Sequence, residues 1–226
     1  MTFISEYIPP ISHRTGGLFV DAGRVVMTDA YWNHNTAYHP WILRRADGRR
    51  SVLDVGCGDG LLLERLALVC SHVMGIEPDP AAYKAALERT GSMKNVRLVR
   101  GDFLTAPLPP SSFDVLIFAA SLHHMDAEAA LGRAADLLVP GGALLVVGLA
   151  RPESAADYLT EALRVIPARI GSLLHGERNG GETGAPVKAP ETSLDEIRRI
   201  AARLLPGARI RRGLYYRYLL EWEKPG

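Results

Sequence analysis

Val52-Leu53-Asp54-Val55-Gly56-Cys57-Gly58-Asp59-Gly60 decides the fold of this 226-residue chain. A short apolar run reads as a buried strand, ends in three glycines, and gives way at Leu61-Leu62-Leu63 to a stretch with helical spacing. Glycines at such a junction let the backbone turn tightly and let a ligand approach main-chain amides without meeting a Cβ. The dinucleotide fingerprint has the spacing GxGxxG and points helix N-terminal amides at a pyrophosphate. Here the spacing is GxGxG, Leu61 takes the slot of the last glycine of that fingerprint, and Asp54 and Asp59 bring negative charge. Such a loop repels a pyrophosphate and welcomes a cationic or zwitterionic ligand.

Outward from this turn, residues 51–55, 72–76, 96–100, 115–120 and 143–148 read as strands, with helical spacing at about 60–70, 80–90 and 127–138 between them. Alternation of this kind needs crossovers, so it predicts an α/β fold with a mostly parallel sheet and helices on both faces. Asp79-Pro80 supplies a capping carboxylate and a first-turn proline, and Gly91 reads as a left-handed stop. Asp126 caps the next helix, whose apolar face includes Leu131, Ala134, Ala135 and Leu138 and which Pro140-Gly141-Gly142 ends. Residues 154–166 read as a helix, 178–190 as a glycine- and proline-rich loop, and Ser193 to Glu196 as a capping box opening a last helix. Residues 208–212 and 215–223 read as an antiparallel hairpin turning near Gly213-Leu214. The first thirty residues show little periodicity, and 31–43 are dense in aromatic and histidine side chains, interrupted by Pro40.

Composition narrows the function. Hydrophobic residues at 47% and charged residues at 23% are globular averages, and a net charge of +1 supplies no global field for nucleic acid or an anionic membrane. The arginine pairs Arg44-Arg45, Arg49-Arg50, Arg198-Arg199 and Arg211-Arg212 are dispersed rather than in one track. Cys57 and Cys70 form neither a disulfide framework nor a CxxC metal pair, so no metal is expected. With no secretory signal legible at the start and no apolar stretch long enough for a bilayer, a cytoplasmic protein is expected.

Glu77 closes the second strand, where an acidic residue in nucleotide-binding folds accepts hydrogen bonds from both ribose hydroxyls. Asp102 follows the third strand, placed to accept from an exocyclic amine while Phe103 offers a flat apolar surface. Together with the glycine turn these positions describe an adenosine site without phosphates. Here the chain resembles the class I, Rossmann-like S-adenosylmethionine-dependent methyltransferases of the small-molecule type. The matching segments are residues 52–60, Gly75-Ile76-Glu77-Pro78-Asp79, Gly101-Asp102-Phe103, residues 113–117, Ser121-Leu122-His123-His124-Met125 and residues 137–147, with a tail from 205 to 222 like that group's closing hairpin. The resemblance implies a seven-stranded sheet whose last strand is antiparallel and S-adenosylmethionine as cofactor. It implies that Gly56, Cys57 and Gly58 pass under the methionine portion, Glu77 takes the ribose, Pro78 lies against the adenine, Asp102 and Phe103 complete the adenine pocket, and Ala119 lines the site. Asp54 steadies the loop or reaches the amino group through water.

Methyl transfer is an in-line displacement, so the protein must place a nucleophile opposite the departing sulfur and exclude water. A base is needed only when the acceptor arrives protonated. His123 and His124 follow the fourth strand, which by the family's strand order lies beside the first, and are the candidate bases. On a helix His34, Tyr38 and Trp41 share a face and Asn35 lies beside His39, so residues 1–50 read as a helical lid or substrate segment in which His34, Asn35, Tyr38 and His39 touch the methionine end or the acceptor. Residues 51–226 form the core, with 151–190 as a specificity insertion. The expected reaction is methylation of a small-molecule acceptor, such as a secondary metabolite, at oxygen in preference to nitrogen or carbon. The protein acts as monomer or homodimer, without nucleic-acid or membrane partners. Alternatives are a peptide or protein carboxylate acceptor, a non-methylating enzyme that keeps the cofactor to promote a step such as cyclisation, and an NAD-dependent oxidoreductase.

Overall fold

Five parallel strands are laid down in the order that short apolar runs alternating with helices require. In the computed structural model, which describes residues 18–21, 24–27, 36–151, 190–213 and 217–226, the central strand β3 (Ser51–Val55) pairs in parallel with β4 (His72–Glu77) on one side and β6 (Phe113–Ala119) on the other. Outside these lie β5 (Val96–Arg100) and β7 (Leu138–Leu149), then the antiparallel β9 (Arg217–Glu223) and the edge strand β8 (Arg209–Arg212). The seven-stranded order is β5-β4-β3-β6-β7-β9-β8, with the last strand of the chain the reversed one, as expected. Chain direction across the sheet switches at β3, which opens a crevice at the carboxyl ends of β3 and its neighbours.

Helices cover both faces. On one, α1 (His39–Ala46) and α2 (Leu61–Leu66) bury Ile42, Leu43, Leu63 and Leu66 against Val52, Ile117 and Leu145. On the other, α4 (Ala127–Leu137) and α5 (Leu194–Leu204) bury Leu131, Leu137, Ile197 and Ala201 against Leu53, Leu116 and Leu144. The predicted caps form: Asp79 Oδ1 accepts from the Ala82 amide at 2.8 Å ahead of α3 (Pro80–Thr90), Asp126 Oδ1 from Ala129 at 2.8 Å, and Ser193 Oγ from Glu196 at 3.2 Å.

Several expectations are corrected. Gly91 is not a left-handed stop: at φ −62° it continues the last turn, its amide donating to the Leu87 carbonyl at 2.8 Å. Pro140-Gly141-Gly142 does not end α4. The helix stops at Leu137, and the triplet lies within β7, where pairing with β6 jumps from Leu138 opposite Phe113 to Ala143 opposite Val115. This bulge at the strand's start is held from the other side, because the Gly141 amide donates to Lys224 O and the Lys224 amide to Gly142 O, each at 2.8 Å. Pro40 does not interrupt a helix. It sits in the first turn of α1, where a missing N–H costs nothing, after a 3₁₀ turn at Thr36–Tyr38. A hairpin of β1 (Leu18–Asp21) and β2 (Arg24–Met27) occupies sequence where no periodicity is visible.

The expected helix over 154–166 and nearly all of the 151–190 insertion lie outside the described residues, as do His34 and Asn35. The two ends of that stretch meet: the Arg151 amide donates to Thr192 O at 3.0 Å, in a parallel bridge of Arg151 with Ser193. No helix among the described residues is long and apolar enough to cross a membrane.

Candidate functional site

The glycine turn is stitched to its neighbouring strand before any ligand is considered. Amides of Gly56 and Cys57 donate to the Ile76 carbonyl at 2.8 and 3.2 Å, and the Gly58 amide donates to Glu77 Oε2 at 2.9 Å. Gly56 has φ +68°, and a Cβ there would lie 2.6 Å from the Cβ of Ser121, which follows β6. The Ser121 hydroxyl in turn donates to the Val55 carbonyl. Only glycine fits between the end of β3 and the residues just after β6.

A cavity of about 850 Å³ opens at these carboxyl strand ends. Of the residues singled out in the sequence, Asp54, Gly56, Cys57, Gly58, Glu77, Pro78, Asp102, Phe103, Ala119, His124 and His39 all border it. His123 is not among the bordering residues, although its ring lies 4.0 Å from that of His124, centroid to centroid. Tyr38 does not border it either. Its hydroxyl is directed at Gly213, where an added Cβ would approach to 2.4 Å, so Tyr38 ties the start of α1 to the mouth of the C-terminal hairpin.

The acidic groups divide by what answers them. Asp59, whose charge the sequence assigned to the ligand loop, is met by Arg89 Nη2 at 2.8 Å and accepts from the Leu61 amide at 3.2 Å, so its charge is compensated within the protein. Glu77 holds two main-chain amides, Gly58 on Oε2 and Asp79 on Oε1 at 3.0 Å, and keeps lone pairs for further donors. Asp102 Oδ1 accepts from the Leu104 amide at 2.8 Å, the Asx-turn that shapes the loop after β5. Asp54 is 1% exposed and its Oδ1 has no partner. Burial first, and the Glu77 carboxylate second, push its carboxyl up to about 7.

Phe103 is 3% exposed, and its ring meets Phe118 edge-on at 5.5 Å with the Arg133 guanidinium 5.5 Å over its face. The ring therefore belongs to the core, and the residue borders the cavity without presenting a free flat surface. Burial pushes the Cys57 thiol far above its ordinary range, so this cysteine packs and does not attack. Three groups were missed in the sequence. Ser121 and Ala120 border the cavity, Ala120 in the left-handed region at φ +59° with its amide on Val147 O at 2.7 Å. The third is Arg65, whose role depends on a partner 26 positions away.

An unpartnered buried carboxylate oxygen and a cradle that a Cβ would fill fit a ligand that brings a positive charge close to main-chain atoms. Asp54 predicts a measurable antagonism. Its folded pKa lies above its unfolded value, so its contribution to stability is fully present below about pH 4 and is lost as pH rises through about 7, about 4 kcal/mol at most. Asp54→Asn is therefore expected to raise the thermal midpoint of the ligand-free protein at pH 8 more than at pH 5, while weakening binding of S-adenosylhomocysteine about tenfold at pH 8. Thermal unfolding and calorimetry at both values check this; a variant no more stable than wild type at pH 8 overturns the account of Asp54.

Comparison with known proteins agrees with this geometry. A methyltransferase-domain family model matches residues 53–146. An uncharacterized methyltransferase of Mycobacterium tuberculosis is 36% identical over 200 residues, spanning 87% of this chain and 99% of that protein. A ubiquinone biosynthesis O-methyltransferase of Thiobacillus denitrificans is 31% identical over 159 residues, or 62% of this chain and 67% of that protein. Among solved structures, the N-methyltransferase NodS of Bradyrhizobium japonicum in complex with S-adenosylhomocysteine shares the fold. It superposes with TM-score 0.58 at 20% identity, over 86% of this chain and 89% of that one.

Proposed function

Given that the chain belongs to the class I S-adenosylmethionine-dependent methyltransferases, we propose that it methylates a hydroxyl oxygen of a small-molecule acceptor, with His124 as the base. S-adenosylmethionine is the cofactor, and when bound it supplies an electrophilic methyl group on a sulfonium sulfur. Membership of this family decides against hydride transfer.

The carrying observation is that His124 borders the same cavity as Asp54 and Gly56, just past the carboxyl end of β6, the strand paired with β3. In this reading Glu77 accepts from the ribose hydroxyls, Pro78, Asp102 and Phe103 hold the adenine, Ala119 lines the passage between, and Asp54 faces the ammonium group. His124 accepts the proton of the acceptor hydroxyl while the oxygen takes the methyl carbon and the S–CH₃ bonding pair stays on sulfur. His123, whose ring lies tilted against that of His124 and does not border the cavity, orients it. The segment before β3, with α1 against the cavity, acts as a wall or lid, and residues 151–190 select the acceptor. The O-methyltransferase among the relatives supports oxygen as the target.

His124→Ala is expected to lower turnover of phenolic acceptors about a hundredfold and to remove the acid limb of the pH–rate profile, with the affinity for S-adenosylhomocysteine within about threefold of wild type. A panel of catechols and hydroxybenzoates with methyl-labelled cofactor reads this. Unchanged turnover with an unchanged pH profile removes His124 as base, and label in amines or carboxylates alone removes the hydroxyl acceptor.

A further inference from the structure

One buried imidazole borders the cavity and has no part in the steps above. His39, the first residue of α1, is 5% exposed, and its Nδ1 lies 2.6 Å from Nη1 of Arg65 on α2, itself 6% exposed. A guanidinium has donors only, so Nδ1 is the acceptor in this pair. A ring that accepts at Nδ1 is neutral and carries its one proton on Nε2. Burial, with the Arg65 charge second, holds the ring in that form down to about pH 3. His39 can therefore offer the cavity an N–H donor and nothing else.

Acceptors lie elsewhere on the same walls: Asp54 with its unpartnered Oδ1, and Glu77. A cavity bordered both by carboxyl groups, one with an unpartnered oxygen, and by an imidazole that can only donate suits a zwitterion, whose ammonium seeks the first and whose carboxylate seeks the second. We propose that His39 Nε2–H receives the carboxylate of the cofactor's amino-acid end, and that Arg65 is the positioning residue that fixes which ring nitrogen donates. The proposal rests on the cofactor occupying this cavity.

The test uses the full chain and two probes, S-adenosylhomocysteine and its decarboxylated analogue, titrated calorimetrically. Wild type is expected to prefer the carboxylated probe by about ten- to a hundredfold, as for one hydrogen bond to a charged group. His39→Ala should bring the two affinities to within about threefold of each other by weakening only the carboxylated probe, and His39→Gln, whose amide keeps a donor, should restore part of the preference. Arg65→Met should reduce the preference as well, and ring ¹⁵N shifts should show Nε2–H at His39 in wild type and a mixture of tautomers in that variant. Equal weakening of both probes by His39→Ala, a proton on Nδ1 in wild type, or an unchanged preference in both variants overturns the proposal. A wild-type chain that binds neither probe overturns the cofactor placement itself, a different failure. Should a variant not fold, the wild-type tautomer alone still decides.

Discussion

Glu77→Ala is expected to weaken S-adenosylhomocysteine binding about a thousandfold and to lower the thermal midpoint of the ligand-free protein. Two separate losses add. In the ligand-free protein the carboxylate holds the Gly58 amide on one oxygen and the Asp79 amide on the other, at 2.9 and 3.0 Å. Removing it leaves two main-chain donors of the glycine turn and of the entry to α3 without their partner, at about 1–3 kcal/mol for each that water does not reach. On binding, the two ribose hydroxyl bonds proposed for this carboxylate would also disappear, at about 1.5–3 kcal/mol each. Part of the stability loss is offset, since the Glu77 charge is one of the causes that raise the Asp54 carboxyl. Glu77→Gln keeps one acceptor oxygen but turns an NH₂ group towards amide donors, so it should fall between wild type and alanine. Calorimetry and thermal unfolding on the same samples separate the two losses. A lower midpoint with affinity kept within about threefold would make Glu77 a loop anchor and no ribose ligand.

Gly56→Ala carries the second large effect. The residue sits at φ +68°, a region that costs an L side chain about 1–2 kcal/mol, and its new Cβ would lie 2.6 Å from the Ser121 Cβ, forcing β3 and β6 apart at their carboxyl ends. Together these should remove about 3 kcal/mol of stability and abolish measurable cofactor binding. Gly58 is the control. Its φ is +56°, yet nothing lies within 4 Å of an added Cβ, so Gly58→Ala should cost about 1 kcal/mol by backbone strain alone. Ser121→Gly removes the contact but also the hydroxyl bond to the Val55 carbonyl, so the comparison is with Ser121→Gly alone: in that background Gly56→Ala should cost about half of what it costs in wild type. A Gly56→Ala protein as stable as Gly58→Ala would show that the two strand ends do not press on each other.

These contrasts indicate what the sequence could and could not disclose. Strands β3 to β7, the caps at Asp79, Asp126 and Ser193, and the bordering positions of Asp54, Glu77 and Asp102 are all local: a run of apolar residues, a carboxylate before a helix, a residue at a strand end. Features that depend on what lies across the fold were not legible. His39 and Arg65 are separated by 26 positions, and no spacing rule joins them; two helices on one face of the sheet do. Phe103 follows Asp102, the aspartate that the resemblance assigns to the adenine, but Phe118 and Arg133 decide where its ring goes. The glycines at Pro140-Gly141-Gly142 look like a helix stop, and only the register jump in the pairing with β6 reveals a bulge. The residues of β1, Leu18-Phe19-Val20-Asp21, and of β2, Arg24-Val25-Val26-Met27, do not alternate apolar and polar side chains, so nothing in them signals a strand.

The bond from Arg151 to Thr192 has an implication for how this scaffold diversifies. Where a chain leaves a sheet and returns to within one peptide of its departure point, the excursion can be lengthened, shortened or exchanged while the strands keep their register, because loop closure is already secured at the base. Grafting the corresponding stretch from a relative at Arg151 and Thr192 should therefore leave the strands and the cavity residues they carry in place, and the acceptors such a chimaera methylates test the proposal that residues 151–190 select the acceptor.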